Sequence, residues 1–116
     1  MIIETPSPNF DDRRGTPVSM IVLRYTGVES AEAAIARLAE PAAKVSAHYV
    51  VAEDGTVVRM VAEEMRAWHA GLSLWRGVRD VNSASVGIEI VNPGHELGYR
   101  PFTAPQTESV LLLVKE

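Results

Sequence analysis

The chain has 116 residues, no cysteine, and 11 lysines and arginines against 15 aspartates and glutamates. That length gives one domain with a core of its own, and the acidic balance argues against a nucleic-acid partner. The lack of cysteine excludes a disulfide scaffold, a thiol nucleophile and a Cys-ligated zinc.

Residues 5–16 are rich in polar residues and proline and read as a loop closed by Pro17. Residues 18–26 read as a strand, with Met20, Ile21, Val22 and Leu23 in one apolar run. A continuous run predicts a strand covered on both faces, as in an α/β sheet. Residues 30–40 carry a helix signature: Ser30 as cap, Glu32 in the first turn, and Ala31, Ala34, Ile35 and Leu38 at helical spacing before Pro41. Two β-rich runs, 45–52 and 56–61, flank Glu53-Asp54-Gly55, a hairpin signal.

Residues 62–66 read as one helical turn, and 68–85 as a long ordered loop holding Trp68 and Trp75, of the kind that usually carries function. Val86, Ile88 and Ile90 alternate with Gly87 and Glu89, which predicts a strand over 85–91. A loop follows over 92–101. The last helix starts at Thr103, where Thr103 and Gln106 form a capping box and Pro105 suits the first turn. Its apolar run Val110 to Val114 reaches Glu116 without a stop signal, which reads as a domain cut short.

No apolar run approaches the about 18 residues needed to span a bilayer. Residues 1–14 lack the apolar stretch of a signal peptide. The expectation is a cytoplasmic protein without a membrane partner.

The candidate chemistry begins with Glu89, an acid inside an apolar strand. Burying a carboxylate is costly unless it is paired or lies in a polar cleft; the alternative is a side chain facing solvent. Gly87, two residues earlier on the same face, permits close approach of another group. His48, His69 and His95 lie at no metal-ligand spacing, and each reads first as a hydrogen-bonded structural histidine. Trp68, His69 and Trp75 bracket a glycine-bearing loop, where aromatic rings serve either as a stacking surface or as core.

At these residues the chain resembles a known family. Ser-Pro-Asn-Phe-Asp at 7–11, Met-Ile-Val-Leu-Arg-Tyr-Thr at 20–26, Val-Ser-Ala-His-Tyr at 45–49 and Glu-Asp-Gly-Thr-Val at 53–57 run in the order of the zinc-dependent N-acetylmuramoyl-L-alanine amidases. Arg-Ala-Trp-His-Ala-Gly at 66–71 and Ser-Val-Gly-Ile-Glu-Ile-Val-Asn-Pro-Gly-His-Glu at 85–96 continue the match. The resemblance covers essentially the whole chain and is to the AmpD-like, muropeptide-recycling branch. It implies an α/β fold: a mixed β-sheet flanked by helices, of the amidase type 2, peptidoglycan-recognition-like kind, with its C-terminal part missing. It implies a muropeptide or peptidoglycan substrate, cut at the amide between N-acetylmuramic acid and L-alanine. Zinc is the implied cofactor, polarising the carbonyl and activating a water whose proton passes to a carboxylate. Glu89 matches that carboxylate; Trp68, His69 and Asn92 match positions near the substrate cleft.

The sequence departs from the family at its metal. The first zinc ligand is a histidine just before Tyr25-Thr26, and here that position is Arg24, which is cationic and offers no lone pair. The other two ligands, a histidine and an aspartate, would lie beyond Glu116. Residue by residue, the chain supplies none of the three ligands that a hydrolytic zinc site keeps. Four readings follow: a disabled amidase or fragment of one, a muropeptide-binding module in which Arg24 pairs with a substrate carboxylate, an incomplete half that needs a partner segment to fold, and an enzyme whose His48, His69 and His95 converge in a different metal site, which their spacing does not support.

Overall fold

The structure is a computed structural model and describes residues 2–70, 80–93 and 101–115. Among those residues seven strands and three α-helices follow one another, with a 3-10 turn at Pro41–Ala43: β1 (Ile2–Glu4), β2 (Phe10–Asp12), β3 (Met20–Tyr25), α1 (Ala31–Ala39), β4 (Tyr49–Val51), β5 (Val57–Arg59), β6 (Met65–Ala67), α2 (Val81–Ala84), β7 (Ser85–Ile90) and α3 (Ala104–Lys115). Five strands form one sheet in the order β1-β5-β4-β7-β3, and β2 pairs with β6 in a small ribbon. The sheet is mixed. β1 runs parallel to β5, β4 antiparallel to β5, and β7 parallel to both β4 and β3.

Each face of the sheet carries one long helix. Alternate side chains of a strand point to opposite faces, and the two cores divide accordingly. On one face Val50, Val58, Met60 and Val91 pack with Leu38, and Ile35 of α1 lies against them. On the other, Tyr49, Val51, Val57, Val86 and Ile88 pack with Val110, joined by Ile90 and Leu113. Gly87 and Glu89 therefore alternate away from the α3 side and toward α1.

The expected signals hold in several elements. Ser30 caps α1 by accepting from the Ala33 N–H at 3.2 Å. Gly55 has φ of +90°, the left-handed turn residue that lets β4 and β5 form a hairpin. The Thr103–Gln106 capping box is reciprocal: the Thr103 N–H donates to Gln106 Oε1 at 3.1 Å, and the Gln106 N–H to Thr103 Oγ1 at 3.2 Å.

Four expectations need correction. β3 is not covered on both faces. It is the sheet's edge, bonded only to β7, and Ile21, Leu23 and Tyr25 are 44%, 49% and 47% exposed. Residues 5–16 are not all loop, because β2 lies among them; β1, before them, is a further strand. Both are too short for an alternation pattern, and their partners lie more than fifty residues away. Residues 62–66 are not a helical turn. Met65 and Arg66 enter β6, whose pairing with β2 is reinforced by Arg66 and Asp11 at 3.1 Å. The segment 68–85 ends in a helical turn, α2, capped by Asp80 accepting from the Ser83 N–H. Trp75 and the rest of 71–79 lie outside the described residues, as do His95, Glu96 and Glu116.

Candidate active site

Arg24 and Glu89 are direct neighbours across the parallel β3–β7 pair. They share a face with α1, and a cavity of about 140 Å³ opens there, lined by Arg24, Arg37, Val45, Trp68, His69 and Glu89 among others. Three of the four residues expected at the site thus meet in one cleft. Asn92 is the fourth, and it does not line the cavity. It is buried beyond the end of β7, where its N–H donates to Thr26 Oγ1 at 3.2 Å and its carbonyl accepts from the Gly27 N–H at 2.9 Å. Its backbone holds Thr26 and Gly27, at the cleft's rim, in place.

Trp68 is positioned by a polar frame. Its N–H donates to Ser46 Oγ at 2.9 Å, and its carbonyl accepts from the Ser46 N–H at 2.8 Å. Its indole Nε1 donates to Asp11 Oδ1 at 3.1 Å. Arg66 then bridges Asp11, at 3.1 Å, and Asp80, at 2.9 Å. Burial pulls the Asp11 carboxyl upward, but hydrogen bonds from Trp68 and Arg66 outweigh it and hold it below the ordinary carboxylate value.

His69 follows directly. Its N–H and that of Ala70 both donate to Asn82 Oδ1, at 3.0 and 2.9 Å. Ser85 Oγ spends its one proton on the Val81 carbonyl at 2.7 Å, so at its other contact, 2.9 Å from His69 Nε2, it accepts. The imidazole therefore carries its proton on Nε2, a tautomer assigned from these bonds. Nδ1 keeps a bare lone pair, buried and without a hydrogen-bond partner among the described residues. Burial, then the nearby His48 and Arg24, push the His69 pKa down to about 4. The ring stays neutral at physiological pH. Gly87 makes room for it: a Cβ there would stand 2.6 Å from His69 Cγ and Cδ2.

His48 is a buried strut. Its Nδ1 accepts from the Gly87 N–H at 3.0 Å, which leaves Nε2–H to donate to the Met65 carbonyl at 2.9 Å. Arg13 Nη2 lies 3.1 Å from the same Nε2. Burial, and beyond it the Arg13 charge, hold His48 below its ordinary pKa. Its reading as a hydrogen-bonded structural histidine stands.

Glu89 is half-buried, and burial raises its carboxyl above the ordinary value of 4.5, while Arg24 and Arg37 pull the other way. A carboxylate tuned upward in a cleft suits proton transfer. A larger cavity of about 690 Å³ lies against β3 and α3, lined by Leu23, Tyr25, Ile90, Phe102, Val110 and Leu111 among others. It is mostly apolar, and its described lining carries no carboxylate and no histidine.

Among the described residues the donor set of the cleft does not make up a catalytic zinc site. Such a site keeps three protein ligands. Arg24 has no lone pair to give. Both nitrogens of His48 are engaged, which leaves His69 Nδ1 and Glu89 as the candidate donors in the cleft. Among the described residues no group of three His, Cys, Asp or Glu could hold a metal.

The sequence model of the Amidase_2 family, N-acetylmuramoyl-L-alanine amidase, matches residues 14–116. The chain belongs to that family. It is 29% identical over 132 aligned residues to the N-acetylmuramoyl-L-alanine amidase AmiD of Escherichia coli (strain K12), covering 99% of this chain and 47% of AmiD. It is 45% identical over 47 residues to the 1,6-anhydro-N-acetylmuramyl-L-alanine amidase AmpD of the same organism, covering 40% of this chain and 26% of AmpD. The chain thus spans about half or less of the curated relatives it matches. Among solved structures, a selenomethionine derivative of AmpD superposes with a TM-score of 0.81 at 27% identity, covering 97% of this chain and 70% of that one. E. coli AmiD, in complex with the substrate anhydro-N-acetylmuramic acid-L-Ala-D-γ-Glu-L-Lys, does so at 0.76 and 28% identity, covering 96% and 45%. The mixed sheet with flanking helices is the fold of these amidases.

Two parts of this amidase-family site escape sequence reading. Arg37 reaches the cleft only because α1 packs across the sheet. Asp11, Ser46, Arg66, Asn82 and Ser85 position Trp68 and His69 from five separate segments. The polar residues of 5–16 and the buried serines were the available signals, and neither has a local pattern.

Proposed function

We propose that this amidase-family chain takes a muropeptide into the Arg24–Glu89 cleft, with the amide between N-acetylmuramic acid and L-alanine set against those two side chains. It binds this group without hydrolysing it. The observation that carries the reading is Arg24 beside Glu89 on the β3–β7 pair, where the family resemblance calls for a zinc ligand. Glu89 keeps the general-base position, but a base needs an activated water to deprotonate, and among the described residues the donor set of the cleft does not make up a zinc site. Trp68 presents a ring at the cleft for an apolar sugar or peptide face, and His69 stands behind it as a fixed neutral acceptor. Asn92 acts through the loop it holds rather than by touching the ligand.

The pool of ligand is soluble muropeptide of the anhydro type, met in the cytoplasm during cell-wall recycling. Support comes from the AmpD relatives, named for the 1,6-anhydro sugar, and from the ligand in the AmiD complex. A second reading, zinc-dependent amidase activity, is favoured by the retained Glu89 and the upward shift of its carboxyl.

The test is a calorimetric titration of the purified chain with anhydro-N-acetylmuramic acid-L-Ala-D-γ-Glu-L-Lys in chelator, paired with an assay for released peptide after zinc is added. Metal-independent binding with no release is expected. Zinc-dependent release would replace the proposal with the amidase reading, and absence of both binding and release would remove both.

A further inference from the structure

We infer that Arg24 and Arg37 together form a carboxylate-binding site, so that the cleft holds an organic carboxylate in preference to the corresponding neutral ester. The inference names the group bound at the cleft proposed above, and so rests on that reading for its ligand, though not for its chemistry. Both arginines line the 140 Å³ cavity. Arg24 comes from the sheet edge and Arg37 from the last turn of α1, so they approach the cavity from two different elements.

Arg24 Nη1 donates to the His69 carbonyl at 2.5 Å, which fixes the orientation of the guanidinium plane. Its remaining donors, and all of Arg37's, make no hydrogen bond to a described residue, and neither side chain forms an ion pair with one. Among the described residues that line the cavity Glu89 carries the one carboxylate, and it lies within the field of both arginines without forming an ion pair with either. Those described side chains set two positive charges against one negative charge, in a chain whose overall charge is −4. A guanidinium presents N–H donors in a planar fork that matches the two oxygens of a carboxylate, and an amide offers it a single neutral oxygen. Trp68 lines the same cavity.

A muropeptide offers this chemistry from two sources. One is the lactyl carboxylate of N-acetylmuramic acid, free once the amide has been cut. The other is a carboxylate of the stem peptide. Two probes separate them: N-acetylmuramic acid alone, and L-Ala-D-γ-Glu-L-Lys alone, each titrated by calorimetry against the purified chain in chelator. The methyl ester of N-acetylmuramic acid is the uncharged control.

At least one of the two acids is expected to bind, and the one that binds names the source. If it is the sugar acid, the ester should bind about tenfold more weakly or less, a loss equivalent to about 1.4 kcal/mol. Arg24→Gln and Arg37→Gln should each weaken the acid by a similar factor, and Arg24→Lys should recover only part of it. Both arginines are solvent-exposed, so the variants should fold, which circular dichroism checks. Glu89→Gln should tighten the acid, because it removes the opposing charge.

Binding of neither acid would overturn the inference. So would equal binding of the sugar acid and its ester, or acid binding that survives Arg37→Gln. If the acids fail while the intact muropeptide binds, the inference falls and the proposed function stands. If an acid binds and the muropeptide does not, the reverse holds.

Discussion

His69 shows how much of this site is set by hydrogen-bond bookkeeping around one side chain. Ser85 Oγ has given its proton to Val81, so the imidazole has no choice of tautomer. Burial then holds the ring neutral, with a pKa pushed down to about 4. The stability sign follows from linkage. A histidine depressed in the folded state contributes stability that is fully present above its ordinary value of 6.5, and that is lost as pH falls from there through about 4. Nitrogen-detected NMR should find His69 as the Nε2–H tautomer with no titration between pH 7 and 5. A ring that titrates near 6.5 would contradict the placement.

Gly87 is the companion residue. Its missing Cβ leaves the space that His69 fills. Gly87→Ala should cost about 1–3 kcal/mol by overpacking, read by denaturant unfolding. It should also displace the His69 ring, read as a changed imidazole shift. An alanine variant with unaltered stability would mean that the ring does not sit against β7.

Elements differ in how far the sequence announces them. β3, α1, the β4–β5 hairpin and β7 obey local rules of apolar runs, capping and turn residues, and each lies within the range those rules give, although β4 takes up only Tyr49–Val51 of the run expected over 45–52. β2 and β6 do not. Phe-Asp-Asp and Met-Arg-Ala are three-residue strands held to each other by pairing and by Arg66–Asp11, and that partnership spans more than fifty residues. The sidedness of β3 was also out of reach. A continuous apolar run looks alike in a central strand and in an edge strand with a greasy groove beside it. α3 is the reverse case, because its start is written in full by Thr103 and Gln106. Thr103 Oγ1 also donates to the Glu53 carbonyl at 2.5 Å, tying the helix to the hairpin turn. Thr103→Ala should therefore lower stability by about 1 kcal/mol or more, measured by denaturant unfolding. An unchanged midpoint would show that the cap contributes nothing.

At the scale of the whole molecule, the sheet separates two surfaces of different character. The α1 side holds Arg24, Arg37, Trp68, His69 and Glu89, the charged and aromatic cleft. The α3 side holds the apolar groove of Leu23, Tyr25, Phe102 and Leu111. Glu89, Trp68 and His69 stand out in the sequence because their motifs resemble the family's, and the fold brings the three to one cleft. Arg24 was legible as a departure from it. The pairing of Arg24 with Arg37 was not, since it depends on how a helix crosses a sheet, and no spacing along the chain encodes that.

Arg24 stands beside Glu89 where the family resemblance calls for a zinc ligand. The most direct measurement is a calorimetric zinc titration of the chelator-treated chain, run beside Arg24→His. No stoichiometric binding is expected in either, because with Glu89 kept as the general base, His69 Nδ1 and one restored imidazole fall short of the three ligands a hydrolytic zinc keeps. Tight one-to-one binding by the unaltered chain would contradict it, and would return His69 and Glu89 to the service of a metal.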